Sequence, residues 1–188
     1  MTTLFIWLFN FAFAASAPEG IYERPCMMFE DEDVLSSELI IKDNTWTTTH
    51  TAFEDTACET PYLIFQTIYK TKSQANEVDL TAVEFSYTIL TDEVAEALNF
   101  IEYCGFHDWQ TGISKDVTGL QCSDFTVPAS GEKIYSVIEY NEAGPLGGEL
   151  YLGIPSIFRD GKTPETRHDQ TDIWPYYLRA HQLEDHQI

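Results

Sequence analysis

Basic residues are scarce in this chain. Its 188 residues hold 10 Lys and Arg against 31 Asp and Glu, a formal charge of −21. That balance excludes the basic face through which proteins hold nucleic acid or anionic lipid headgroups. Long hydrophobic runs are also missing. The most apolar stretch, residues 4–14, falls short of the ~20 residues that span a bilayer. The cysteines form no C-x-x-C pair, the spacing expected of a zinc site. There is no D-x-[DN]-x-[DN]-G calcium loop, no N-x-S/T acceptor and no internal repeat of 20 to 50 residues. No nucleophile–base motif stands out.

What is present is an ordinary globular composition. Hydrophobic residues make up 44%, so the acid excess does not imply disorder. Aromatics reach 14%, which favours a β-rich core. The length suits one domain with a sizeable core.

The first charged residue is Glu19. The apolar run before it is followed by Ala12-Phe13-Ala14 and Ala15-Ser16-Ala17, two A-x-A matches. Residues 1–17 therefore read as a signal peptide cleaved after Ala14 or Ala17. Cleavage after Ala14 avoids leaving Pro18 at the new N-terminus. No integral membrane segment is expected after cleavage. Four cysteines follow, Cys26, Cys58, Cys104 and Cys122. An even count in an exported chain predicts two disulfides and a secreted, periplasmic or extracellular location. Four cysteines allow three pairings. Joining nearest neighbours gives Cys26–Cys58 and Cys104–Cys122, each loop worth roughly 3–4 kcal/mol.

Alternation predicts strands at 38–42, 45–53, 62–71, 78–90, 133–140 and 149–153. Asp43-Asn44 between the first two is a hairpin turn. The 45–53 strand shows Trp46, Thr48, His50 and Ala52 on one face. In 78–90, Leu80, Ala82, Glu84, Ser86 and Thr88 oppose Val83, Phe85, Tyr87 and Ile89. One helix is expected after the N-cap residue Thr91, with Asp92 and Glu93 in its first turn. Its apolar stripe is Val94, Ala97, Leu98 and Ile101, and Gly105 is the C-terminal cap, so that Cys104 ends the helix. Strand after strand with one helix predicts a mainly β fold. We expect an up-and-down, lipocalin-like β-barrel or half-barrel of about eight antiparallel strands, able to hold one small apolar ligand. The barrel is placed at 18–157. Residues 158–188 are expected as a polar C-terminal segment packing on it or trailing from it.

One resemblance spans most of the mature chain. Gly20-Ile21-Tyr22, Cys26, Asp43-Asn44-Thr45-Trp46 and the run from Phe53 through Cys58 to Pro61 carry its first part. Asp92-Glu93-Val94, Cys104-Gly105, Trp109, Asp116-Val117 and Glu149-Leu150-Tyr151 continue it. The chain resembles bacterial secreted lipocalin-like proteins of unassigned function. It is similar to the lipocalin-like module of the animal Wnt-inhibitor family named for down-regulation by adenomatous polyposis coli. The resemblance implies a β-barrel with a hydrophobic interior, the same disulfide pattern and, in the animal family, lipid binding. The chain departs from the pattern at Tyr22, where Trp is common, and a Wnt-related role does not carry over.

Four clusters suggest chemistry. His107-Asp108 reads as a loop beside a disulfide rather than a catalytic or metal pair. His168-Asp169 with Asp172, and His181 and His186, could chelate a metal but read as solvated. Glu30-Asp31-Glu32-Asp33 reads as a hydrated surface run. The candidate ligand-binding residues are Trp46, His50, Phe65, Glu84, Phe85, Tyr87 and Tyr135, with His50 and Glu84 orienting a polar end. The expectation is a secreted, non-enzymatic protein that binds a hydrophobic small molecule or lipid without a cofactor or metal. The alternatives are a surface protein with a filled core, contacting partners through Trp174-Pro175-Tyr176-Tyr177, and a hydrolase using His107 or His168.

Overall fold

The structure is a computed structural model that describes residues 17–29, 33–145 and 147–179. Residues 1–16 of the expected signal peptide, Glu30 to Glu32, and His181 and His186 lie outside the described residues.

Long strands form where β-branched and aromatic residues alternate with polar ones. In chain order they are β1 (Gly20–Met28), β2 (Val34–Lys42), β3 (Thr45–Phe53), β4 (Pro61–Gln74) and β5 (Glu77–Ile89). The helix α1 (Asp92–Phe100) and the short strands β6 (Ser114–Asp116), β7 (Gln121–Cys122) and β8 (Phe125–Thr126) make up an insert. Then come β9 (Lys133–Asn141), β10 (Glu149–Ile154), β11 (Gln170–Thr171) and β12 (Tyr176–Leu178). Antiparallel ladders run β1-β2-β3-β4-β5-β9-β10-β12 and return to β1. This is a closed, up-and-down barrel of eight strands with one α-helix. The closing strand, β12, lies within the segment that the sequence places outside the barrel. Three residues are too short a run to show alternation.

The two ends of the barrel differ. At the lower end two of the hairpins, β2–β3 and β4–β5, are tight. Asp43 and Asn44 both take left-handed backbone (φ 49° and 56°), as a two-residue β-hairpin requires, and Ala75 does so between β4 and β5. At the upper end the connections are long, and the 90–132 insert packs against the upper half of β5.

Register sorts the inward side chains into layers. From the bottom these are Ile41-Trp46-Tyr69-Ala82, then Leu39-Thr48-Thr67-Phe85 with Tyr22, then Arg24-Ser37-His50-Phe65-Tyr87, and at the top Leu35-Ala52-Leu63-Ile89. The lower layers are solid: Tyr22, Leu39 and Leu150 are fully buried, joined by Trp46, Val78, Ile138 and Tyr176. A second cluster joins Phe85, Tyr87 and Ile89 to Trp109, Val117 and the Cys104–Cys122 disulfide.

Both disulfides pair as nearest neighbours in sequence. Cys26–Cys58 ties the end of β1 to the β3–β4 loop, over the start of β2. Cys104 does not end the helix. α1 stops at Phe100, and Cys104 sits with left-handed backbone in a 3-10 turn, Tyr103–Gly105. Thr91 caps the helix as expected, its hydroxyl accepting from Val94 N at 3.4 Å. The buried side of α1 is Val94, Ala95 and Leu98, while Ala97 and Ile101 are exposed. The helix touches the core with its first two turns only, which leaves its end in solvent.

Candidate ligand site at the barrel mouth

The top two layers do not fill the barrel. Leu35, Ala52 and Leu63 above, with His50, Phe65 and Tyr87 below, surround a partly open cavity of about 240 Å³. All six occupy inward positions on β2, β3, β4 and β5. The rings form one surface: Phe65 stacks on Tyr87 at 4.7 Å between centroids, and on His50 at 6.2 Å.

His50 supplies the polar edge. Its Nδ1 lies 2.7 Å from Ser37 Oγ on β2. Its Nε2 bonds no described residue. Burial and the neighbouring Arg24 guanidinium hold its pKa down to about 4, so the imidazole is neutral at neutral pH. Arg24 is itself buried, at 8% exposure. It pairs with Asp172 at 3.0 Å, donates to the Trp174 carbonyl and lies 4.3 Å over the Tyr176 ring. Its Nε has no partner among the described residues. A charged floor thus sits beside an apolar chamber, and its positive charge is matched inside the wall. Burial also raises Tyr87, which bonds Tyr103, well above the ordinary tyrosine pKa, and it raises Tyr176, so both phenols stay neutral.

Of the seven residues that the sequence proposes, the structure brings His50, Phe65 and Tyr87 together here. Phe85 lies one layer lower, buried against Phe65 and Tyr69. Trp46 is at the opposite end, beside a separate depression that Ala17, Pro18 and Glu19 also line. Glu84 points outward and is exposed. The ladder shifts there, because Ile68 faces Glu84 while Tyr69 faces Ala82. Val83 is the extra residue of a β-bulge, and it flips the phase of everything after it. Tyr135 is outside the barrel too, its ring under Arg167 at 5.4 Å. Sequence reasoning missed Leu35, Ser37 and Arg24. Leu35, Ser37, Leu39 and Ile41 do alternate, a signal available in residues 34–37 had the strand been extended upstream.

The other clusters are dispersed. His168 is buried, with Nδ1 3.0 Å from Ser136 Oγ, and burial lowers its pKa. Asp169 faces Arg159, and Asp172 faces Arg24. His107 lies 3.6 Å from Glu102, and Asp108 bonds Lys115. Among the described residues no three His, Cys, Asp or Glu side chains are placed to hold a metal ion, and no helix is long and apolar enough to cross a membrane.

A larger depression of about 680 Å³ runs over the wall formed by β12, β1, β2 and β3. Most of its lining, including Glu23, Glu38, Thr49 and Thr51, faces outward, and both glutamates are engaged by Arg179. It is a surface groove lined largely by charged and hydroxyl-bearing residues, and the mouth cavity is the more apolar site. No known protein-family model matches the chain, and neither does any curated protein sequence.

Proposed function

We propose that this is a secreted, non-enzymatic binding protein whose barrel takes an apolar small molecule, or the apolar end of a lipid, through its upper mouth. The cavity carries the reading: six inward side chains, five of them apolar, enclose about 240 Å³ beside one neutral imidazole. Ligand pockets combine apolar lining with few polar groups in this way. Two disulfides fit an oxidising compartment. The resemblance to secreted lipocalin-like proteins supports the same reading.

The volume is below the ~300 Å³ at which drug-sized pockets begin. A whole long-chain lipid therefore does not fit, and only its end would enter. Mass spectrometry of the native protein, with displacement of a fluorescent fatty acid, tests the reading. Co-purifying apolar mass or displacement is expected. Neither, from material made in its own host, would overturn it.

A second reading, a surface protein with a filled core that contacts a partner, draws on two observations: the interior cavity stays below about 300 Å³, and an apolar tip is exposed. Ile157 and Phe158 are 94% and 85% exposed, at the tip of a turn closed by paired hydrogen bonds between Ser156 and Arg159. The contact patch expected at Trp174-Pro175-Tyr176-Tyr177 does not form as such. Tyr176 is buried in the barrel and Tyr177 is part of its wall; Trp174 is half exposed.

A further inference from the structure

We infer that the mouth cavity selects a small neutral molecule built on one aromatic ring with one hydroxyl group, its ring against Phe65 and Tyr87 and its hydroxyl on His50 Nε2. This rests on the binding reading above and narrows it to a ligand class.

Size comes first. An apolar cavity of about 150 Å³ accommodates benzene. The mouth cavity, at about 240 Å³, has room for one ring and a short substituent, and none for a long chain. Shape comes second. The lining offers one continuous row of rings, since Phe65 and Tyr87 stack at 4.7 Å and His50 lies along Phe65. A flat guest gains offset or edge contacts there, beyond the area it buries.

Charge comes third. A cationic head would leave water for a lining that holds no carboxylate to meet it. A carboxylate would leave water for an apolar lining with a single donor to meet it. Asp172 already occupies the guanidinium. A neutral hydroxyl remains. Ser37 holds Nδ1, so Nε2 is the free edge of the ring. Nε2 is a donor in one tautomer and an acceptor in the other, and a hydroxyl serves either.

The test uses the mature chain with both disulfides formed, and titration calorimetry with three probes: 4-propylphenol, propylbenzene and palmitate. We expect 4-propylphenol to bind, and propylbenzene to bind roughly three- to tenfold more weakly, the worth of one net hydrogen bond. His50→Leu should erase that difference. Ala52→Leu should weaken both rings more than tenfold by filling the chamber. Leu63→Phe, which intrudes from the next strand, replaces it if Ala52→Leu does not fold by circular dichroism. Palmitate binding with neither ring probe bound would overturn the inference and leave the binding reading standing. Binding by none of the three would remove both. A preference for the phenol that survives His50→Leu, or ring binding untouched by the filled chamber, would show that the site is misplaced.

Discussion

The lower half of the barrel closes on itself, whereas the upper half is held by covalent links. Below the Arg24 layer, hydrogen-bonded ladders run through all eight strands and back to β1. Above it β12 ends, β9 no longer accompanies β5, and β5 turns to β6 instead. Both disulfides lie on that open side. One bridges the rim over β2, and the other fixes the insert against the upper half of β5. A closed ladder leaves no loose edge and needs no staple. Where the ladder stops, cross-links that restrict the unfolded chain supply what the missing strand pairs do not. The same division separates the filled lower layers, with a polar depression at their rim, from the apolar mouth cavity above.

The comparison is sharpest at the seam. Tyr176→Ala removes a buried ring from β12 and uncovers Arg24, so it should cost about 3–5 kcal/mol in urea unfolding. A cost under about 1 kcal/mol would mean that β12 does not hold the lower ring together.

The two disulfides come next. Chain entropy for separations of 32 and 18 residues gives nearly 4 kcal/mol for Cys26–Cys58 and about 3 kcal/mol for Cys104–Cys122. Packing reverses that order. Cys104 and Cys122 are 6% and 0% exposed, and their loss opens the insert core, while Cys26 and Cys58 are half-buried. The double alanine variant at 104 and 122 should therefore unfold at the lower urea concentration. The opposite order would show that loop length alone decides.

Acid probes the polar layer between the halves. The pKa of His50 falls from 6.5 unfolded to about 4 folded, so the unfolded chain binds the proton more readily. The stability this gives is complete above about pH 6.5, is lost as pH falls towards 4, and amounts to a few kcal/mol at most. His168 shifts in the same direction. His50→Leu should flatten the fall between pH 6.5 and 4. An unchanged slope would assign it to other groups.

The smallest effect is at the helix. Thr91→Ala should cost about 1 kcal/mol, because only the first turns of α1 touch the core. It should leave the lower ring's hydrogen exchange unaltered, and slowed or hastened exchange in β9 or β10 would contradict the division into halves.

Much of the lower half is legible in the sequence. The central hairpins announce themselves by alternation and by Asp43-Asn44, which tolerate the left-handed turn. The helix start is written in Thr91-Asp92-Glu93. The upper half is harder to read, because its structure depends on contacts between distant segments. Glu84 shows why. A strand read in strict alternation puts it with Leu80 and Ala82, yet Phe85, Tyr87 and Ile89 are apolar in the opposite phase. Two apolar phases on one strand are the mark of a bulge, and register against β4 was needed to place it. β1 is hidden by Arg24, a charged residue on an inward position that is satisfied by Asp172 and the Trp174 carbonyl, nearly the whole chain away. Tyr135 is aromatic and on a strand, but that strand's other face is covered by residues 161–168, so burial there says nothing of the interior. The site was half visible for the same reason: His50, Phe65 and Tyr87 lie on strands with clear periodicity, and Leu35 and Ser37 lie where the period is short.

The position of β12 bears on how the protein is made. A ribosome or export channel delivers the chain from its N-terminal side, and β12 is the last barrel strand to emerge. Until it does, β1 and β10 wait with unpaired edges and the Arg24 side chain lacks its carboxylate. The ring cannot be completed piecemeal during delivery. A nascent chain of this kind gains from being kept unfolded until it is released whole, and a protein truncated before Tyr176 would expose two adhesive strand edges rather than one missing corner.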